Sequence, residues 1–316
     1  MPGVDGDNAG AADGGAGAAL CVLASGSAGN CTVVAVRRGG VTRACLIDLG
    51  LSPRRTVRLL AGLGLGLHQV DDVILTHLDS DHVYTGWLGA RGLPRHVRLH
   101  VHARHAEAAG LPGLFGPAAV VYEDGLVLRD GTRVRAVVAP HDRLGVAALR
   151  MEGETGAGAD GGLRAGTGGE GWSLGYATDV GRVEDELVEH LRGVDVLAIE
   201  SNYCPRMQVE SGRPLALIER IMGGRGHLSN QEAVEAIGRI APRRHVVLLH
   251  LSRQCNDPAV VASLHAGAGY GVTISSQEAP TGWVAIAGAA PAAAGVDGAA
   301  AGAVTRRARR PATRAR

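Results

Sequence analysis

The sequence predicts an α/β domain built from two mixed sheets covered by helices. Three observations lead there. Short apolar, β-prone runs separated by turn formers come first in the chain, and from about residue 182 strands alternate with segments of helical periodicity. A hydrophobic content of 46% over 316 residues then supplies core enough for one large domain or two small ones. No internal repeat is evident.

The first ordered unit starts near Ala18. AALCVLA (18–24) and CTVVAVRR (31–38) read as the arms of a hairpin, because SGSAGN between them consists of turn formers. RACLIDLG is a third strand. LSPRRTVRLLAGLG follows as a helix, opened by Ser52-Pro53 and given an apolar face by Val57, Leu59, Leu60 and Leu63. VDDVILT (70–76) is a buried strand, VRLHVH another, and a helix begins near Ala103. A hairpin turns at Asp130-Gly131, and its second arm, RVRAVVAPHD, ends on a histidine.

Residues 153–171 are too glycine-rich to pack and read as an insertion loop between the strands GVAALRM and WSLGYATD. The remainder alternates: a helix near 182–192, strand VDVLAIE, a helix over LALIERIM, one from Asn230, strand HVVLLH, a helix after Pro258 and a strand near 282–287. Residues 1–17 read as a disordered leader and 288–316 as a disordered basic tail, which leaves 18–287 as the folded domain.

Charge and cysteine usage narrow the partners. A formal net charge of +1 gives no global pull on a polyanion, and the 3% aromatic content leaves few side chains for base stacking. The end, VTRRARRPATRAR, is basic throughout; it is either a solvated extension or a weak polyanion-binding tail. Cys21, Cys31, Cys45, Cys204 and Cys255 form no CxxC pair, and an odd count without a secretory leader points to the reducing cytoplasm. No apolar run approaches the roughly 18 residues of a membrane span, so no membrane partner is expected.

The chemistry concentrates in THLDSDH (76–82). It places His77, Asp79, Asp81 and His82 on a polar loop directly after a strand. If strand geometry persists, alternate residues 77, 79 and 81 share one side while His82 diverges from Asp81 toward a second position. Two imidazoles and two carboxylates suit Zn²⁺, Mn²⁺ or Fe; a hydrogen-bonded polar loop is the alternative. Further apolar runs end in ligand-type residues at His141, Asp179 and His250, a recurrence that packing alone explains poorly.

With these positions, the sequence resembles the metallo-β-lactamase fold superfamily, whose hallmark is HxHxDH followed by a later His, Asp and His. It is most similar to the branch of YycJ/WalJ-like exonucleases and related phosphodiesterases. LASGSAGN, LIDLGLS, PHD, TDVG, ESN, GRGHLSN and HLSRQCNDP carry the likeness in the same order over about residues 20–287. The resemblance implies a four-layer αββα sandwich and two divalent metal ions. His77, Asp79 and His141 would hold one, Asp81, His82 and His250 the other, and Asp179 would bridge them. A hydroxide shared by the two ions is the implied nucleophile. Asp81 and His227 are the residues implied in the catalytic step, with His227 protonating the leaving oxygen; read locally, His227 could equally be a helix-entry residue ahead of a Ser229 or Asn230 cap.

Ser25, Ser27, Asn30, Asn202, Ser229 and Asn256 are the candidates for substrate contact. SGSAGN by itself is a turn, although its backbone NH groups could approach an anion. The remaining histidines, at 68, 96, 100, 102, 105, 190, 245 and 265, read as structural or exposed. Two departures stand out. Asp79 replaces the usual His, and Tyr203-Cys204 stand where relatives commonly have His-Asp, which suggests a changed substrate wall. A third carboxylate would bring a two-ion, one-hydroxide cluster to about zero charge, favouring Mn²⁺ or Fe²⁺ over Zn²⁺ and diesters over more highly charged monoesters.

The expected activity is dinuclear metal-dependent hydrolysis of a phosphodiester, as a phosphodiesterase or a DNA or RNA exonuclease; the metal hydrolase is better supported than a polymer substrate. A small or cyclic phosphodiester is an alternative substrate, and a non-catalytic metal-binding or regulatory module is an alternative of another class. Hydrolysis of a lactone or thioester is a third.

Overall fold

The computed structural model describes residues 16–88, 92–108, 119–154 and 171–288. The first half forms β1 (Gly17–Ala24), β2 (Cys31–Arg38), β3 (Val41–Ile47), β4 (Val70–Leu75), β5 (Arg98–His102) and β6 (Ala119–Tyr122). The second forms β7 (Gly125–Val127), β8 (Arg133–Ala139), β9 (Val146–Glu154), β10 (Gly171–Ala177), β11 (Val196–Glu200), β12 (His245–Leu249) and β13 (Gly271–Ile274). The last strand, β14 (Val284–Gly288), returns to the first sheet. Two seven-stranded sheets result, ordered β14-β1-β2-β3-β4-β5-β6 and β13-β12-β11-β10-β9-β8-β7.

Period-two burial makes the layers. In β1, Ala18, Leu20 and Val22 face the second sheet, where they join Leu149, Tyr176, Val196 and Val247 in the central core. Their alternates Cys21 and Leu23 face outward and pack beneath Leu60, Trp87 and Leu99. On the second sheet Leu197, Ile199, Val246 and Leu248 likewise face outward. They lie under Leu187 and Leu191 of α3 (Asp185–Leu191), Ile237 and Ile240 of α6 (Asn230–Ile240) and Val261 of α7 (Pro258–Leu264). The protein is therefore the four-layer αββα sandwich.

Helix α1 (Pro53–Gly62) starts as its sequence predicts, with Ser52 accepting from the Arg55 NH and Pro53 in the first turn. Its inward stripe is narrower than expected: Leu60 is fully buried, Leu59 and Leu63 partly so, and Val57 faces solvent. Truncating Leu60 to alanine should cost about 2–5 kcal/mol. Among the described strands and α-helices, three were not anticipated from the sequence, β6, β13 and α4 (Pro205–Val209), all five residues or fewer. The remaining helices are α2 (Ala103–Ala108) and α5 (Leu215–Arg220), the latter continuing into a π-turn over Ile221–Arg225.

Strands β9 and β10 pair from Glu154 with Gly171, so the flanks of the expected insertion belong to the sheet; 155–170 lie outside the described residues, as do 1–15 and 289–316. Among the described residues no helix is long and apolar enough to cross a membrane. All five cysteines are free thiols.

Candidate metal centre

The strand ends anticipated from the sequence converge at one edge of the sandwich. β4 ends at Leu75, and the next residue is fixed by Asp48, whose Oδ1 accepts from the Thr76 backbone NH at 2.8 Å and from its hydroxyl at 3.0 Å. Strand geometry does not persist beyond this point, so the condition for residues 77, 79 and 81 to share one side is not met. The NH groups of His82 and Val83 both donate to the Asp79 carbonyl, at 2.8 and 2.9 Å, closing a turn. That turn, rather than a period of two, separates His77 and Asp79 from Asp81 and His82. Gly50 permits it, because a Cβ there would lie 1.8 Å from the Asp81 carbonyl oxygen and 2.5 Å from the Asn30 nitrogen.

His141 follows β8, Asp179 follows β10 and His250 follows β12. Asp48, Asp142, Asp179 and His250 all adopt positive φ, at 64°, 39°, 53° and 53°. Only one other described non-glycine residue, Ala241, does so. Left-handed backbone is uncommon for such residues, and here it turns side chains back across the strand ends.

The donor atoms fall into overlapping sets. His77 Nε2 and His141 Nε2 each lie 3.8 Å from Asp79 Oδ2. His82 Nε2 and His250 Nε2 lie 3.7 and 3.8 Å from Asp81 Oδ2. Asp179 stands between the sets, its Oδ2 4.0 Å from His77 Nε2 and its Oδ1 3.4 Å from His82 Nε2. These spacings are too long for hydrogen bonds, but donors around an ion at about 2.0–2.2 Å sit roughly 3–3.5 Å apart, close to what is seen. His77 Nε2 is moreover buried without a hydrogen-bond partner. An unpaired buried nitrogen facing two carboxylates fits a divalent cation.

The far side of each ring is held by a partner that aims Nε2 inward. Nδ1 of His77 meets the Thr76 hydroxyl at 3.0 Å, that of His82 meets Asp48 Oδ2 at 2.8 Å, and that of His141 donates to the Gly226 carbonyl at 3.0 Å. His250 is the exception: its Nδ1 lies 2.5 Å from Asp179 Oδ1, the carboxylate between the sets, so both of its nitrogens face the site. Glu200 is the other carboxylate here: fully buried, its Oε1 accepts from His227 Nδ1 at 2.6 Å, and its Oε2 accepts from the Val180 and Leu228 NH groups. Together with Asp179, His227 and His250 it makes a donor group whose atoms lie within 4.8 Å of one another, as do those of His77, Asp79 and His141 and those of His77, His82 and Asp179. Roles for Asp48 and Glu200 were missed in the sequence, although each ends an apolar strand run, ACLID and VLAIE, just as His141 and His250 do.

Buried carboxylates and neighbouring imidazoles pull these groups in opposite directions. Burial alone would lower the His82 pKa, but the carboxylates of Asp179 and Asp48 more than offset it and hold the value well above the ordinary histidine range. His77, desolvated and beside His82, is pushed well below that range. Burial would raise Asp179, yet His250 and His82 keep its carboxyl well below the usual range. For His227 burial again works downward, and Glu200 outweighs it to raise the pKa to about 9. Its ring centroid lies 5.7 Å from that of His141 and 5.1 Å from that of His250, beside the donor sets.

Five of the six expected substrate contacts spend their polar atoms inside the protein. Ser25 Oγ accepts from the His250 NH at 2.8 Å. Asn30 Nδ2 approaches Asp81 Oδ2 at 3.3 Å and His82 Nε2 at 3.0 Å. Asn202 donates to the His250 carbonyl at 2.7 Å, and Asn256 to the carbonyls of Ser201 and Asn202. Ser229 caps α6 in a reciprocal pair with Glu232. These five buttress the loops that carry the ligand-type residues, and Ser27 alone is exposed. The SGSAGN turn offers little to an anion, since Gly26 N donates to Asn30 Oδ1, Ala28 N to Gln277 Oε1 and Gly29 N to the Gly26 carbonyl. Of the Tyr203-Cys204 pair, Tyr203 is buried against Ile221 and Cys255, and Cys204 is partly exposed.

Fold and donor set together define a metal-dependent hydrolase of the metallo-β-lactamase type. The profile of the beta-lactamase superfamily domain matches residues 43–251, and the chain belongs to that family. It is 26% identical over 242 residues to Exodeoxyribonuclease YycJ of Bacillus anthracis, covering 74% of this chain and 83% of the relative. Exodeoxyribonuclease WalJ of Streptococcus pneumoniae is 24% identical over 240 residues, covering 74% and 82%. Among solved structures, zinc-bound PqqB from Methylobacterium extorquens shares the fold with a TM-score of 0.55 at 15% identity, covering 82% of this chain and 98% of that one.

Proposed function

We propose that the protein is a dinuclear metal-dependent phosphodiesterase acting on nucleic acid ends as an exonuclease. The observation that carries this reading is the position of Asp179, whose two oxygens face His77 of one donor set and His82 of the other. In this reading His77, Asp79 and His141 would hold one ion, Asp81, His82 and His250 the second, and Asp179 would serve both. Two bound divalent ions would lower the pKa of a shared water and neutralise charge on a phosphoryl oxygen.

The chain's own groups supply the rest. Asp81 lies between His82 and His250 at the face where the reacting phosphate would sit. His227, charged at neutral pH through Glu200, is the proton donor to the leaving oxygen. Glu200 positions that ring and keeps it protonated. The names of the YycJ and WalJ relatives favour a DNA strand as substrate. A small or cyclic phosphodiester is the second reading, favoured by the modest cavity of about 170 Å³ beside His77, Asp79 and His141.

The test is metal content together with activity on single- and double-stranded DNA, RNA, cyclic nucleotides and bis-p-nitrophenyl phosphate. About two ions per chain and release of nucleotides from DNA ends support the reading. Protein that takes up no metal and cleaves no diester sinks it in favour of a binding module, and cleavage of cyclic nucleotides alone moves it to the second reading.

A further inference from the structure

The cavity beside His77, Asp79 and His141 is also lined by His105, Asp142, Arg143 and Gly145, so the PHDRLG loop forms one wall of it. That loop is a fixed turn. Gly145 N donates to the His141 carbonyl at 2.7 Å, Asp142 N donates to the Arg225 carbonyl at 3.0 Å, and His105 Nε2 donates to the Gly145 carbonyl at 2.9 Å. Arg143 sits at the tip, its backbone held from both sides.

The charges of this wall are unevenly committed. Asp142 is fully engaged by Arg220, whose Nη2 reaches its two carboxylate oxygens at 2.7 and 2.6 Å and whose Nε reaches Oδ1 at 3.0 Å. Among the described residues no ion pair joins it to Arg143. Asp79 faces His77 and His141, with its side chain 57% exposed toward the same cavity. Arg143 is exposed and makes no hydrogen bond or ion pair among the described residues. An unpaired guanidinium on the lining of a cavity that also holds three imidazoles and an open carboxylate can engage a phosphate with two parallel N–H donors.

We propose that Arg143 binds the non-bridging oxygens of the substrate phosphodiester, offsetting the negative charge that Asp79 brings to the same cavity. The inference rests on the phosphodiesterase reading and extends it to substrate recognition. Arg143 selects for an anionic diester over an uncharged ester of the same shape. Because its guanidinium compensates for Asp79, the two positions are coupled, and Arg143 matters less where residue 79 is neutral.

The experiment uses the metal-loaded full chain and the variants Arg143→Ala, Arg143→Lys, Asp79→His and the Asp79→His/Arg143→Ala double variant. Kinetics are measured on bis-p-nitrophenyl phosphate and on its uncharged methyl ester. Binding of a fluorescein-labelled single-stranded phosphorothioate oligonucleotide is followed by anisotropy across a salt series. Arg143→Ala should raise KM for the charged diester about ten-fold or more with metal content unchanged, leave the uncharged ester unaffected and be partly rescued by lysine. The salt slope for oligonucleotide binding should fall by about 0.7. In the Asp79→His background the loss should shrink. If wild-type protein cleaves the diester but Arg143→Ala leaves both KM and the salt slope unchanged, the inference about Arg143 fails alone. If metal-loaded wild-type protein cleaves no phosphodiester, the reading of the site fails and the inference goes with it.

Discussion

Glu200 Oε1 lies 2.6 Å from His227 Nδ1, while the second oxygen of the same carboxylate takes the NH groups of Val180 and Leu228 at 2.9 and 3.1 Å. One buried acid thus charges the histidine and ties the end of β10 to the GRGHLSN segment. With its pKa raised to about 9, His227 is protonated through neutral pH and loses its proton as pH rises past about 9. The basic limb of kcat should therefore lie near 9. Glu200→Gln removes the charge that opposes burial, so the limb should move toward acid, and a pH profile that keeps its basic limb would contradict this.

His227→Ala separates proton donation from metal binding. On an oligonucleotide, whose leaving alkoxide needs a proton, kcat should fall by about 10²–10⁴. On bis-p-nitrophenyl phosphate, whose leaving group departs as a stable anion, the fall should be far smaller. Equal losses on both substrates, or loss of bound metal, would assign His227 a supporting role instead.

Asp48→Asn removes the charge and replaces one of two accepting oxygens, which serve Thr76 and His82 Nδ1, with an NH₂ group that can only donate. The expected result is metal affinity weaker by about 10–100-fold, read by competition with a chelating dye. An unchanged affinity would show that Asp48 serves only to fix the Thr76 turn.

Asp79→His adds an imidazole beside His77 and His141 and removes a carboxylate. Reconstitution with single metals should then show activation shifting from Mn²⁺ or Fe²⁺ toward Zn²⁺. Wild-type protein most active with Zn²⁺ would count against the underlying charge reasoning.

Asn256 has a different job. Its amide NH₂ group donates to the Ser201 and Asn202 carbonyls, and its Oδ1 accepts from Asn230 and from the Asp257 NH. Asn256→Ala leaves these buried groups unpaired and should cost about 1–3 kcal/mol of stability in urea unfolding. Protein of unaltered stability but weakened substrate binding would return Asn256 to the substrate.

Much of this site is legible in the sequence because strand-terminal chemistry is local: an apolar run of four or five residues followed by His, Asp or Glu marks a loop that the sheet can deliver to a shared edge. His77, His141, Asp179 and His250 were readable in that way, and Asp48 and Glu200 carried the same mark unread. What the sequence could not convey was which polar residues face inward. Ser25, Asn30 and Asn202 look like rim residues in a glycine- and serine-rich text, yet their partners lie up to 225 positions away. The turn at Asp79 was hidden for a similar reason, since it depends on the Asn30 NH donating to the Asp81 carbonyl across 51 positions and on the bare Cα of Gly50 beneath. Such long-range backbone contacts leave no periodicity to read.

The left-handed backbone at Asp48, Asp142, Asp179 and His250 has a consequence for how this protein can change. Each conformation costs on the order of 1–2 kcal/mol that glycine would not incur. Selection for heat resistance alone would push these four corners toward glycine, and selection for turnover would push them back. Comparing alanine with glycine at Asp142, which stands outside the two donor sets, would show how tightly the frame is drawn. A glycine variant that melts higher than the alanine one would mark the corner as a place where durability has been surrendered to keep neighbouring side chains on target.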